Sequence, residues 1–156
     1  NEPLFTGQVD VISNYIQELP RLTRVGGKEI VTIPFREYGV NFYGTAIITS
    51  EDALKNNGDA IRRFLRVVSK SWNYIVDNPE EGASALVTAV PELDRGDILE
   101  ELRLFLPLMK SEQTEKEGWG FMDRSRWETD ISFLSSQGVI EQGIEADDVF
   151  SNDFLR

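Results

Sequence analysis

The sequence predicts an α/β fold in which a few short strands come first and four or five helices follow. Three observations carry that expectation. The β-rich runs are confined to the first fifty residues. After Ser50, apolar residues recur at steps of three and four, the spacing of a single helical face. Glycine, proline and asparagine punctuate the joins between these stretches. A free-standing α/β domain would supply more strands to cover so many helices. The imbalance implies that part of the sheet comes from outside this chain.

Taken in order, Gln8–Ser13 (QVDVIS) reads as a short strand with Val9, Val11 and Ile12 as its apolar residues. Asn14 is expected to start a helix that runs to about Val25, interrupted at Pro20 and ended by Gly26-Gly27. Glu29–Ile33 (EIVTI) reads as a second strand, stopped by Pro34. Val40–Ser50 (VNFYGTAIITS) is a third β-rich run, and Gly44 inside it suggests a bulge or the close approach of a neighbouring strand or a ligand. Ser50 with Glu51 and Asp52 is a helix N-terminal signal, a hydroxyl cap followed by acids in the first turn. Gly58-Asp59 starts a longer helix with Ile61, Phe64, Leu65, Val68, Trp72, Ile75 and Val76 on one face. Asn78-Pro79 divides it from a helix over 80–90, and another follows from Leu93 to Met109, ended or kinked by Pro107. Ser111 to Gly118 reads as a surface loop. Asp123 caps a helix through Gln137, with Trp127, Ile131 and Leu134 inward and Gly138 as its stop. The tail from Gly143 is acidic.

Composition narrows the function. The 156 residues, 40% hydrophobic and 10% aromatic, suit a folded chain with a core. No apolar run approaches the roughly 20 residues that span a bilayer. The sequence opens on Asn1 without a secretory-leader pattern, so it is expected to begin after processing, trimming or truncation. The net charge of −11 does not suit nucleic acid or an anionic membrane surface. Arg62, Arg63, Arg66 and Lys70 fall together on a helix and read as a solvated face. The chain has no Cys and no His. Thiolate nucleophiles, Ser-His-Asp triads, imidazole acid–base chemistry and the usual Cys/His zinc sites are thereby excluded. Glu145, Asp147 and Asp148 lack the ligand spacing of a calcium loop and read as a solvated tail.

Six stretches, in order, carry a resemblance to a family. They are GQVDVISNY (7–15), QELP (17–20), YGVNFYGTAIITS (38–50), WNYIVDNPEEGASAL (72–86), GWGFMDRSRWE (118–128) and FSNDFL (150–155). Together they resemble the C-terminal portion of the ABC-transporter solute-binding proteins for nitrate, sulfonates, taurine and thiamine-pyrimidine precursors. The QELP stretch keeps only the proline of a common Thr-Asn-Glu-Pro pattern. The resemblance implies a two-lobed periplasmic-binding-protein fold of type II, with ligand held between the lobes. It assigns 1–37 to the second lobe, 38–50 to a hinge crossover strand and 51–156 to the C-terminal part of the first lobe. It implies an extracytoplasmic receptor for a small organic or anionic molecule, partnered by a membrane permease, with no cofactor. A ligand-sensing or partner-binding protein of the same fold is the alternative. A pyrimidine synthase of this fold depends on histidine, which this chain lacks.

In open α/β sheets ligands sit beyond the carboxyl ends of strands. Ser13, Asn14 and Tyr15 follow the first strand, offering a hydroxyl, an amide and a phenol to a flat polar ligand. Glu18 would either recognise an amino group or stand as a solvated helix carboxylate. Tyr38, Asn41 and Tyr43 lie around the crossover, where period 2 puts Asn41 and Tyr43 on one side. They would either form a second polar-aromatic pair or serve as packing and turn residues. Trp72 and Trp127 are expected in the core, and Trp119, between two glycines, at the surface or as a loop anchor. Unpaired strand edges would also invite strand exchange or a homodimer.

Overall fold

The computed structural model describes residues 1–155. Its α-helices, in chain order, are α1 (Glu2–Phe5), α2 (Leu19–Gly26), α3 (Glu51–Asp77), α4 (Pro79–Ala89), α5 (Arg95–Met109), α6 (Glu112–Glu117), α7 (Arg124–Ser136) and α8 (Ala146–Val149). Single 3-10 turns cover Ile16–Glu18 and Phe35–Tyr38.

The helical expectations are realised through the residues that suggested them. Ser50 caps α3, its Oγ accepting from the Ala53 N–H at 3.2 Å. The break expected before Gly58 is present as a non-helical residue, Asn57, inside α3. Two asparagines and a glycine in succession are poor helix formers, so the chain kinks there. Asp123 caps α7 by accepting from the Arg126 N–H, and Asp94, which the sequence reading did not single out, caps α5 by accepting from the Asp97 N–H. Gly27 and Gly138 close α2 and α7 at φ 60° and 67°, left-handed values that glycine adopts without strain.

Three helical details differ from expectation. Pro20 does not interrupt a helix but lies in the first turn of α2, where its missing N–H has no intrahelical partner to lose. Pro107 stays inside α5, which continues to Met109. The 111–118 stretch is not all loop, because its Glu, Gln and Lys residues form α6.

The strands of the α/β expectation do not form. Among the described residues 8–13, 29–33 and 40–50 pair with no other segment, and the crossover strand expected over 38–50 is an irregular, largely extended segment. A strand is completed by a neighbour's hydrogen bonds, and no described segment of this chain supplies them. Val11, Val31 and Ile48 are left 71%, 84% and 90% exposed. Gly44 makes no close approach, since a Cβ there would meet no atom within 4 Å. The structure is thus helix-rich, consistent with a fragment of a larger α/β protein.

The described residues group into two compact units. One joins Asn1–Pro34 to Trp72–Ser111. Within it α5 packs on α4, on α2 and on the 16–18 turn, and Leu22, Ala83 and Ile98 are buried. Trp72 meets Phe105 there with ring centroids 5.6 Å apart. The other unit joins Phe35–Ser71 to the chain from Glu112 onward. Its buried residues are Ala146 and, unusually for an acid, Asp130.

Candidate functional site

In the first unit, the extended run 8–13 delivers Ser13, Asn14 and Tyr15 to the mouth of the 16–18 turn. Asn14 holds the turn locally: its Oδ1 accepts from the Tyr15 N–H at 2.8 Å, and its Nδ2 donates to Asn1 Oδ1 at 3.2 Å. An asparagine side chain bonding its neighbour's backbone is common at such corners. Ser13 and Tyr15 are exposed, Tyr15 by 61%. Glu18 is not a free carboxylate, because it accepts from Arg21 of α2, whose Nε lies 3.1 Å away. Its charge also reaches Glu101 on α5. Burial first, and then the Glu18 charge, push the Glu101 carboxyl above its ordinary range, while Arg21 opposes the shift. This face therefore combines an exposed hydroxyl and phenol with an acid already neutralised by a neighbouring guanidinium.

In the second unit, Tyr38 ends the 35–38 turn and is 72% exposed. Asn41 and Tyr43 meet the same partner, and so does Phe42 between them, so the contact does not follow the period-2 alternation of a strand, which 38–50 does not form. That partner is Arg126 of α7. Its Nε and Nη2 donate to the Asn41 carbonyl at 3.0 and 2.7 Å, and Nη2 also reaches the Phe42 carbonyl at 3.0 Å and Asn41 Oδ1 at 3.3 Å. The guanidinium carbon lies 4.1 Å from the Tyr43 ring centroid, a cation–π contact. Tyr43 Oη accepts from the Asp123 N–H at 2.7 Å. Its ring packs on Trp127 at 5.6 Å, and Trp127 stacks on Phe150 at 5.7 Å with the rings 8° from parallel. Phe42 meets Phe133 at 5.7 Å.

Sequence reasoning placed Asp123 and Trp127 as a cap and a core residue and overlooked Arg126 and Asp130. Their spacing was a usable signal. Positions 123, 126, 127 and 130 follow i, i+3, i+4, i+7 and share one helical face.

The two acids of that face respond to pH with opposite signs. Hydrogen bonds to its carboxylate from Ser125, from Gln113 (3.0 Å) and from the Arg126 N–H (3.2 Å) hold Asp123 below the ordinary aspartate range. Asp130, 8% exposed, is pushed above that range by burial, against the Arg126 charge and a hydrogen bond from the Tyr43 N–H. A depressed carboxyl contributes stability that is present above its unfolded value of about 3.9 and lost as pH falls through the folded value. A raised carboxyl does the reverse, and its contribution declines as pH rises through the folded value. Asp123→Asn, which retains a capping oxygen, is expected to flatten the acid-side loss of stability. Asp130→Asn is expected to remove the opposing decline. Urea midpoints measured from roughly pH 3 to pH 7 check both, and slopes unchanged by the substitutions would refute them.

Among the described residues no cluster of three His, Cys, Asp or Glu side chains is placed to hold a metal ion. Glu145 and Asp148 form a capping box on α8, and Asp147 pairs with Arg124. No helix of the described residues is long and apolar enough to cross a membrane.

Comparison with known proteins gives these sites a context. A family model described as NMT1/THI5 like matches residues 1–82. The formylaminopyrimidine-binding protein of Halalkalibacterium halodurans is 27% identical over 152 residues, covering 96% of this chain and 46% of the relative. The riboflavin-binding protein RibY of Chloroflexus aurantiacus is 24% identical over 151 residues, covering 95% of this chain and 43% of the relative. The chain thus spans about half the length of the curated relatives it matches. No solved structure matches it.

Proposed function

We propose that this chain, which belongs to the NMT1/THI5-like family, is the C-terminal portion of a receptor for a small, flat, hydrogen-bonding ring compound. The observation that carries this reading is the pair of relatives that align across nearly the whole chain. Both are named as binding proteins, one for a formylaminopyrimidine and one for riboflavin. Such ligands call for a few placed polar groups and an aromatic face. The exposed Ser13 and Tyr15 offer both, and Tyr38 offers a second exposed phenol. Asn14, Glu18, Asn41 and Tyr43 complete the proposed ligand-facing set. In the complete protein we place the ligand in a cleft between two lobes, with the three unpaired extended runs taken up into their sheets. Delivery to the membrane permease of an ABC importer, outside the cytoplasm, is part of the same proposal.

The relatives' names favour binding over catalysis. A ligand-sensing or partner-binding role is the alternative, and strand exchange or a homodimer is a further way to cover the open edges.

The test is a thermal-shift series on the full-length protein with a formylaminopyrimidine, riboflavin, taurine and nitrate. A ligand that binds only the folded state raises the melting temperature by mass action. The expected result is a shift with a ring compound and none with taurine or nitrate. Tyr15→Ala is expected to weaken binding about tenfold, equivalent to about 1.4 kcal/mol of lost stacking. A well-folded protein that shifts with none of the four would move the assignment to a sensing or partner-binding role.

A further inference from the structure

We infer that Arg126 is the positioning residue of the 38–50 segment, fixing its main chain on α7 at Asn41, Phe42 and Tyr43. Extended backbone without a neighbouring strand has carbonyls in need of donors. At Asn41 and Phe42 one guanidinium supplies them, with contacts of 2.7 to 3.0 Å to two successive carbonyls. A planar fork with five N–H donors suits that task, and an ammonium does not reproduce it. The same guanidinium covers the Tyr43 ring, and its charge acts on Asp130, whose carboxylate takes the Tyr43 N–H. The Asp123 N–H holds the far end of the Tyr43 ring. Three consecutive residues are thus gripped from one helical face, with Arg126 touching all of them.

The consequence for ligand rests on the receptor reading above. If 38–50 is the crossover between lobes, Arg126 governs how firmly the segment is held and so how long ligand stays, without touching ligand itself. The residue would act on the dissociation rate more than on encounter, as changes away from the diffusional approach usually do.

Hydrogen exchange on the ligand-free full-length protein separates the two ideas. In Arg126→Ala, the Tyr43 amide, which is hydrogen-bonded to Asp130, is expected to exchange about tenfold faster, while peptides from α4 and α5 keep the wild-type rate. Arg126→Lys is expected to fall between, since it keeps the charge and loses the fork. Arg63→Ala, which removes an exposed cation of α3, is the control and is expected to match wild type. Unchanged exchange of the Tyr43 amide in Arg126→Ala would overturn the inference. So would acceleration spread equally over every peptide, which marks a general loss of stability. With a binding ring compound, Arg126→Ala is expected to raise the dissociation rate and leave the association rate within about twofold. Local exchange that responds in a protein binding none of the solutes would sink the receptor reading and leave Arg126 in its role.

Discussion

Trp127→Ala is expected to destabilise the protein by about 3 kcal/mol, at the lower end of the range for removing a packed tryptophan. The ring is stacked on Phe150 and tilted against Tyr43, so its removal unpairs two aromatic contacts at once. Partial exposure of the residue keeps the figure below that of a fully buried indole. Trp127→Phe tells burial from hydrogen bonding. The indole Nε1 is buried and has no hydrogen-bond partner among the described residues. A buried donor without an acceptor is a cost, which phenylalanine does not carry. Trp127→Phe is therefore expected within about 1 kcal/mol of wild type. Urea unfolding followed by circular dichroism measures both. An alanine variant as stable as the parent would show that the Tyr43–Trp127–Phe150 stack does not hold its unit together.

Ile98→Ala should be of similar size, about 3 kcal/mol, with Ile98→Val near 1 kcal/mol. Ile98 is 8% exposed on α5, the helix against which α2, α4 and the 16–18 turn all pack. The unit offers few other buried apolar side chains, Leu22 and Ala83 being the rest. With so small a core, truncation of one member removes much of what orders the turn that carries Tyr15. The ligand prediction is linked to it: Ile98→Ala is expected to weaken binding at temperatures where the variant is still folded. A change below about 0.5 kcal/mol, typical of surface positions, would refute the assignment of Ile98 to the core.

The helices were legible because the information that makes them is local. Ser50, Asp94 and Asp123 meet backbone N–H groups three residues on, and Gly138 accepts a left-handed φ that other residues resist. Pro20 was misread because proline is equally at home as a breaker and as a first-turn residue, and only the neighbouring 3-10 turn decides between them. Of the binding candidates, Tyr15 stands exposed as its position after an extended run implied. Glu18 is engaged with Arg21 at i,i+3, a pairing that local spacing offers, whereas the Asn41–Tyr43 stretch is engaged with Arg126, which no local pattern ties to it.

By itself, then, the sequence determined the caps of α3 and α7, the partly buried Trp127, Ile131 and Leu134 of α7, that this chain carries no thiol or imidazole, and the family through six short stretches in order, whereas Phe64, expected on the inward face of α3, is 56% exposed. These follow from spacing within about one or two helical turns, or from residue types alone. Only the tertiary structure decided that Arg126 meets residues eighty-odd positions earlier in the chain, that Asp130 is buried beside it, and that the three β-rich runs find no partners among the described residues. A strand is a property of two segments and a guanidinium bound to distant carbonyls a property of a packed site, so neither is specified by the residues of one stretch.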